Sequence, residues 1–348
     1  MKHSLRTLIN ASCAIIGSFL LLSSLTSNAQ FTSGRLVVAR YGATGQVSAP
    51  TSAGTPTFLD EFTTAGAPGI TVVLPTTTVG STNRMLSSGS ATSEGQLNLS
   101  SDGTVLLLGG YDAAAGTATI NSTAGINRVI ARIDNSGTVS TTVLTTTDVT
   151  VTNNSYTTSN FRSVASVDGS RYWTGGNGNA STGGVRTILY SGSSVTPSIA
   201  SQVSSTTTNV RVVKIFNGQI YYSTASGIFK VGSGLPVISG TTSTALFTMQ
   251  TGNSSPHSFV FLDRDPSVPG PDVMYVADDG TGASGLRAIF KYYFNGISWI
   301  SLGSAVHTVG ISGLTGVVNG STAELYGSTS GSIVKLTDNS SFSTPITG

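Results

Sequence analysis

One punctuation recurs along this chain. A short β-rich run ends in Asp-Gly or Asn-Gly, and a second β-rich run follows at once. It stands at Asp102-Gly103, Asp168-Gly169, Asn217-Gly218 and Asn319-Gly320. The first is flanked by Leu97-Asn98-Leu99 and by Val105-Leu106-Leu107-Leu108. Such dipeptides are a strong hairpin signal, because a two-residue type I′ turn needs positive φ at both central residues. Recurrence at roughly 50-residue spacing means small sheets repeated along the chain, which is how a β-propeller is written.

Grouped by threes and fours, the strand candidates make about six units, with seven blades as the variant of the same reading. Representative strands are expected over 57–62, 128–134, 162–167, 211–216, 258–262 and 313–318. Runs without clean alternation, such as Val105 to Leu108, suit sheets buried on both faces. No stretch after residue 29 repeats at helical spacing. The expected fold class is therefore all-β, a propeller of antiparallel sheets, with 30–348 as one domain. The Gly/Ser/Thr-rich tracts 43–54 and 175–184 read as surface loops. An outer-membrane barrel would show regular strands of about ten residues and aromatic girdles, and neither is present.

Residues 1–29 read as a secretory signal peptide. Lys2, His3 and Arg6 form a basic start, Ala14 to Leu22 an apolar core, and Ser27-Asn28-Ala29 a small-residue cleavage site. Cys13, the single cysteine, lies inside this segment, so 30–348 carry no disulfide and no thiolate metal site. Of 17 basic and 15 acidic residues, removing Lys2 and Arg6 leaves 15 of each. No basic stripe or run exists, which argues against nucleic acid as a partner. Charged residues are 9% of the chain, against roughly 25% in ordinary globular proteins. A surface of hydroxyls and amides suits a periplasmic, cell-surface or extracellular setting. A monomer without a transmembrane segment after processing is expected.

The segments Ser255-Pro256-His257-Ser258-Phe259-Val260-Phe261-Leu262-Asp263-Arg264-Asp265-Pro266 and Gly270-Pro271-Asp272-Val273-Met274-Tyr275-Val276-Ala277-Asp278-Asp279 carry a resemblance. With Leu36-Val37-Val38-Ala39-Arg40-Tyr41-Gly42 and Phe58-Leu59-Asp60-Glu61-Phe62, they resemble a family of exported bacterial propeller-like proteins without an assigned activity. More loosely, the units are similar to the NHL, YVTN and lactonase-like propeller group. The resemblance implies fold and export and supplies no catalytic residues.

Three constellations carry chemistry. Asn160-Phe161-Arg162 and Asn209-Val210-Arg211 repeat Asn-x-Arg, and each arginine stands six residues before its turn residue, Asp168 or Asn217. That puts Arg162 and Arg211 at equivalent starts of channel-lining strands. There they either clamp a carboxylate, sulfate or uronic acid or tie blade to blade through backbone carbonyls. His257 joins them as a candidate ligand contact at the channel mouth. The second constellation is acidic: Asp263, Asp265, Asp272, Asp278 and Asp279. Asp263, Asp265 and Asp278 are the candidate ligands for Ca²⁺, the one cofactor the chain suggests. The EF-type pattern fails, however, at Val268 and Met274. Turn chemistry, including an Asp263–Arg264 pair, is the alternative. The third comprises Tyr172-Trp173, Tyr221-Tyr222, Tyr292-Tyr293 and Trp299, either sugar-stacking faces or packing between blades.

Two functions follow as expectations. The first is a non-catalytic binding module for an extracellular glycan or surface protein, working through Arg162, Arg211 and His257. The second is a Ca²⁺-dependent hydrolase of lactonase type, with the acidic region around the ion and a carboxylate as base.

Overall fold

In a computed structural model the hairpins form six antiparallel sheets, one after another along the chain, as the blades of a β-propeller. Residues 30–42, 51–146, 154–190, 192–249, 255–282 and 285–346 are described. The expected signal peptide and residues 43–50 of the expected first loop lie outside them. Among the described residues no helix is long and apolar enough to cross a membrane.

Blade 1 holds β1 (Leu36–Tyr41), β3 (Thr57–Phe62) and β4 (Pro68–Val73), and beside it β2 (Gly54–Thr55) pairs with β5 (Ser87–Ser88). Blade 2 runs β6 (Asn98–Leu99), β7 (Val105–Tyr111), β8 (Arg128–Asp134) and β9 (Val139–Leu144). Blade 3 is β10 (Phe161–Ser166), β11 (Arg171–Gly176), β12 (Gly184–Leu189) and β13 (Ser201–Ser204). Blade 4 is β14 (Val213–Phe216), β15 (Gln219–Ser223), β16 (Gly227–Val231) and β17 (Ser243–Thr248). Blade 5 is β18 (Pro256–Leu262), β19 (Val273–Asp279), β20 (Arg287–Phe294) and β21 (Trp299–Val306). Blade 6 is β22 (Gly313–Asn319), β23 (Thr322–Ser328) and β24 (Ile333–Asp338).

The turn chemistry is more varied than the repeated dipeptide suggests. At Asn217-Gly218 both residues have positive φ, 45° and 68°, and Phe216 pairs directly with Gln219, so this is the expected type I′ hairpin. At Asp102 and Asp168 only the following glycine is left-handed. There the carboxylate closes the turn: Asp102 accepts from the Thr104 amide at 3.0 Å and Asp168 from the Ser170 amide at 2.9 Å. Asn319 is still in the ladder, opposite Thr322, and Gly320 opens the turn.

Packing proceeds blade on blade. Leu59, Val72 and Leu74 of the first unit meet Leu108, Val129 and Ile133 of the second. Tyr111 and Ile130 then meet Phe161 and Tyr172 of the third. Trp173 and Val185 pack with Ile220 and Tyr222, Ile228 with Phe259 and Met274, and Tyr275 and Ile289 with Leu314 and Leu325. These five apolar layers join six blades in sequence. Among the described residues no such layer joins blade 6 to blade 1.

The inner strands β6, β10, β14, β18 and β22 surround a central channel. Polar side chains stitch them across it. The Asn98 amide donates to the Val164 and Val213 carbonyls at 2.8 and 3.0 Å, and the Gln96 amide to the Ser312 carbonyl at 3.3 Å. Blade 2 thus meets blade 6 across the channel through this bond.

Blades 5 and 6 share a buried ionic knot. Asp338 Oδ2 lies 3.0 Å from Arg264 Nη1 and 2.9 Å from Lys291 Nζ, and accepts from Tyr275 Oη at 2.6 Å. The Asp263–Arg264 pair therefore does not form. Arg264 turns to blade 6, where Asp338 and the Ser321 and Ser340 carbonyls accept from its two Nη groups, with Tyr275 Oη as a fourth acceptor.

Candidate functional site at the channel mouth

The start of each inner strand brings its side chains to one end of the channel. Arg162 at the start of β10 donates to Asn209 Oδ1 and, at 3.1 Å, to the Val210 carbonyl of blade 4. Arg211, just before β14, donates to Ser255 Oγ at 2.8 Å and to the Pro256 carbonyl at 2.7 Å in blade 5. Each arginine thus ties its blade to the next, the structural role anticipated for the repeated Asn-x-Arg. They also stand close enough for their charges to oppose each other. Burial, with the Arg211 charge beside it, pulls Arg162 down to about 10. His257, in β18, is 1% exposed, and its Nε2 lies 2.8 Å from Asp279 Oδ2 at the end of β19. Burial lowers its imidazole below the ordinary range against the pull of Asp279, and the Arg211 and Arg162 charges add to the effect. Arg162, Arg211 and His257 are thereby brought together from three consecutive blades.

The residue that completes this cluster is Glu94, which the sequence reading did not single out. Its Oε1 accepts from Tyr111 Oη at 2.5 Å and from Asn160 Nδ2 at 2.6 Å. Burial raises its carboxyl to about 7, against those bonds and the Arg128 and Arg162 charges. It is buried by close approach of the chain: Gly95 has φ +72°, and a Cβ there would collide with the Tyr41 phenol of blade 1. A signal for Glu94 does exist. It stands eight residues before Asp102, as Asn160 stands before Asp168 and Asn209 before Asn217.

Besides His257 Nε2 and Asp279 Oδ2, which face each other at 2.8 Å as an ion contact, three polar atoms in this cluster are buried without a hydrogen-bond partner: Glu94 Oε2, Arg162 Nε and His257 Nδ1. Buried polar atoms are nearly always paired in native proteins, so three within one cluster are unusual. Arg211 and Asp279, both partly exposed, form its side toward solvent.

The three candidate Ca²⁺ ligands do not share a site. Asp263 and Asp265 follow the end of β18, whereas Asp278 pairs with Pro256 at the opposite end of the same ladder. Asp265 Oδ1 accepts from the Ser267 amide at 3.0 Å and its hydroxyl at 2.6 Å. Asp272 accepts from the backbone amides of Arg264 and Asp265. Asp278 accepts from the Ser255 and Gly280 amides at 2.7 and 2.9 Å. These are turn and cap roles, and among the described residues no three His, Cys, Asp or Glu side chains are placed to hold a metal. The melting temperature of 30–348 is accordingly expected to be equal in excess Ca²⁺ and in EDTA. A site at about 100 times its Kd would add about 2.7 kcal/mol, so a rise of several degrees with Ca²⁺ would reinstate it.

The aromatic candidates serve packing. Tyr172, Trp173, Tyr222 and Tyr292 are buried, the Trp173 indole donates to the Pro236 carbonyl at 2.8 Å, and Trp299 packs on Phe261 and Phe294. His307 binds its own turn at Val309.

Comparison with known proteins finds no matching family model and no matching curated protein. Solved structures share the fold distantly. A candidate 6-phosphogluconolactonase from Bacteroides uniformis is 13% identical, with a TM-score of 0.42 over 87% of this chain and 82% of that one. A second, from Bacteroides fragilis, is 9% identical with a TM-score of 0.40, covering 88% and 94%. The dihydro-heme d1 dehydrogenase NirN, solved in complex with DHE, is 11% identical with a TM-score of 0.39, covering 88% of this chain and 61% of NirN.

Proposed function

We propose that this protein is an exported binding module that takes an acidic extracellular glycan at the channel mouth, without chemistry of its own. The observation that supports this reading is the trio of unpartnered buried atoms. Arg162 Nε brings a donor, Glu94 Oε2 a carboxyl that keeps its proton up to about pH 7, and His257 Nδ1 a third polar atom. A uronic acid offers complementary groups to each: a carboxylate for the guanidinium and hydroxyls for the carboxyl and imidazole. The opposed charges of Arg162 and Arg211 favour an anion between them.

The test is binding of 30–348 to acidic and neutral oligosaccharides of matched length, followed by calorimetry on the best binder. Replacement of Arg162 or Arg211 by Lys keeps the charge and removes the fork. Each is expected to weaken acidic-glycan binding about tenfold, or about 1.4 kcal/mol, with the far-UV spectrum unchanged. Equal binding of neutral and acidic chains, or binding indifferent to both substitutions, would refute the reading.

A further inference from the structure

At the other half of the channel, toward the hairpin turns, lies a cavity of about 270 Å³. Inner strands of five blades line it, among them Asn98, Ser166, Lys214, Phe261 and Thr315. Lys214 carries the one amine in this wall. Its Nζ donates to the Leu314 carbonyl at 3.1 Å and stands 5.8 Å from the centre of the Phe259 ring. No carboxylate from β6, β10, β18 or β22 acts on it, and the turn acids Asp102, Asp168 and Asp263 exert no charge effect there. Two other lysines of the propeller differ. Lys291 is held by Asp338 and Lys335 lies 3.1 Å from Glu324.

We propose that this cavity is a binding site for a small carbonyl compound, which Lys214 captures reversibly as a Schiff base. The site is separate from the channel mouth and does not depend on the glycan reading. The geometry assigns one N–H of the neutral amine to Leu314, which leaves the nitrogen lone pair for an occupant of the cavity. Burial supports this by drawing the ammonium down to about 7, so that near neutral pH much of Lys214 is the free base. The step balances within the two reactants. The nitrogen lone pair attacks the carbonyl carbon, and a proton passes from nitrogen to oxygen to give the carbinolamine. The oxygen then departs as water with a second proton, and the C=N bond forms.

The probe is glycolaldehyde with cyanoborohydride, which delivers hydride to the imine carbon and fixes the adduct as a secondary amine. The intact 30–348 protein is labelled at pH 7 and the lysines are ranked by peptide mass spectrometry. Lys214 is expected to label at least about tenfold faster than Lys335, whose ion pair keeps it protonated. Its rate should rise with pH through about 7 and then level. In urea-unfolded protein this preference should vanish. Lys214 labelling no faster than Lys335 in the folded protein, or an equal preference in the unfolded chain, would overturn the proposal. The Lys214→Arg variant should lose the fast-labelled site and leave Lys335 unchanged. A fast site that persists in that variant would also overturn it.

Discussion

Asp338→Ala is expected to lower the stability of the protein by about 3–5 kcal/mol, the usual cost of stranding a buried charge by removing its partner. Asp338 is fully buried and holds two cations from another blade, Arg264 and Lys291. Without it, the Lys291 ammonium keeps only Ser340 Oγ and the Ser341 carbonyl. Tyr275 loses its acceptor as well. Urea unfolding at pH 7 measures the loss, and a change below about 1 kcal/mol would mean that the knot contributes little to holding blades 5 and 6. The pH dependence has a definite sign. Burial alone would raise the Asp338 carboxyl, but bonds from Ser340, Tyr275 and Lys291 outweigh it and hold it below the ordinary value. Its contribution is present above the unfolded carboxylate value of about 3.9 and is lost as pH falls through the lower folded one. The penalty of Asp338→Ala should therefore shrink in strong acid.

Glu94→Gln is expected to have the opposite effect. A carboxyl raised from 4.5 to about 7 keeps its proton when folded and releases it when unfolded. The folded state then binds more protons across that interval, so stability falls as pH climbs from about 4.5 through 7 and levels above it. The shift corresponds to about 3 kcal/mol at pH 8. Gln keeps an acceptor for Tyr111 and Asn160 and cannot ionise. The variant should match the parent near pH 4 and exceed it by up to that amount at pH 8, in paired urea titrations. A parent whose stability is flat between pH 5 and 8 would show that Glu94 is solvated or paired in a way this geometry does not contain.

The blades were legible because their turns are local. Asp102, Asp168, Asn217 and Asn319 announce themselves within a few residues, and the strands around them follow closely, with 57–62 and 128–134 read to the residue. β17 was missed because Ser243-Thr244-Ala245-Leu246-Phe247-Thr248 is half exposed and has no such turn beside it. The arginine pair was found through its equal offset from the turns, and its blade-tying bonds were one of the two roles foreseen. What stayed hidden depends on distance along the chain. Arg264 meets Asp338 across 74 residues and Asn160 meets Glu94 across 66. Nothing near Arg264 separates that partner from adjacent Asp263. The acidic cluster failed as a metal site because β19 carries Asp278 away from Asp265, which proximity in sequence conceals.

The single-file arrangement of the apolar layers bears on how the molecule is made. Every four-stranded blade is complete within one continuous stretch of chain, and each packs on the one before it. A propeller that closes by sharing a sheet between its two ends must hold its first strand unpaired until the last is synthesised. Here the described blades need no such wait. As the chain emerges, each sheet can form and dock on the one already in place, so unpaired strand edges are exposed for short intervals, a favourable condition against aggregation during folding. The last events would be two that reach blade 6 across the channel, Gln96 to Ser312 and Lys214 to Leu314.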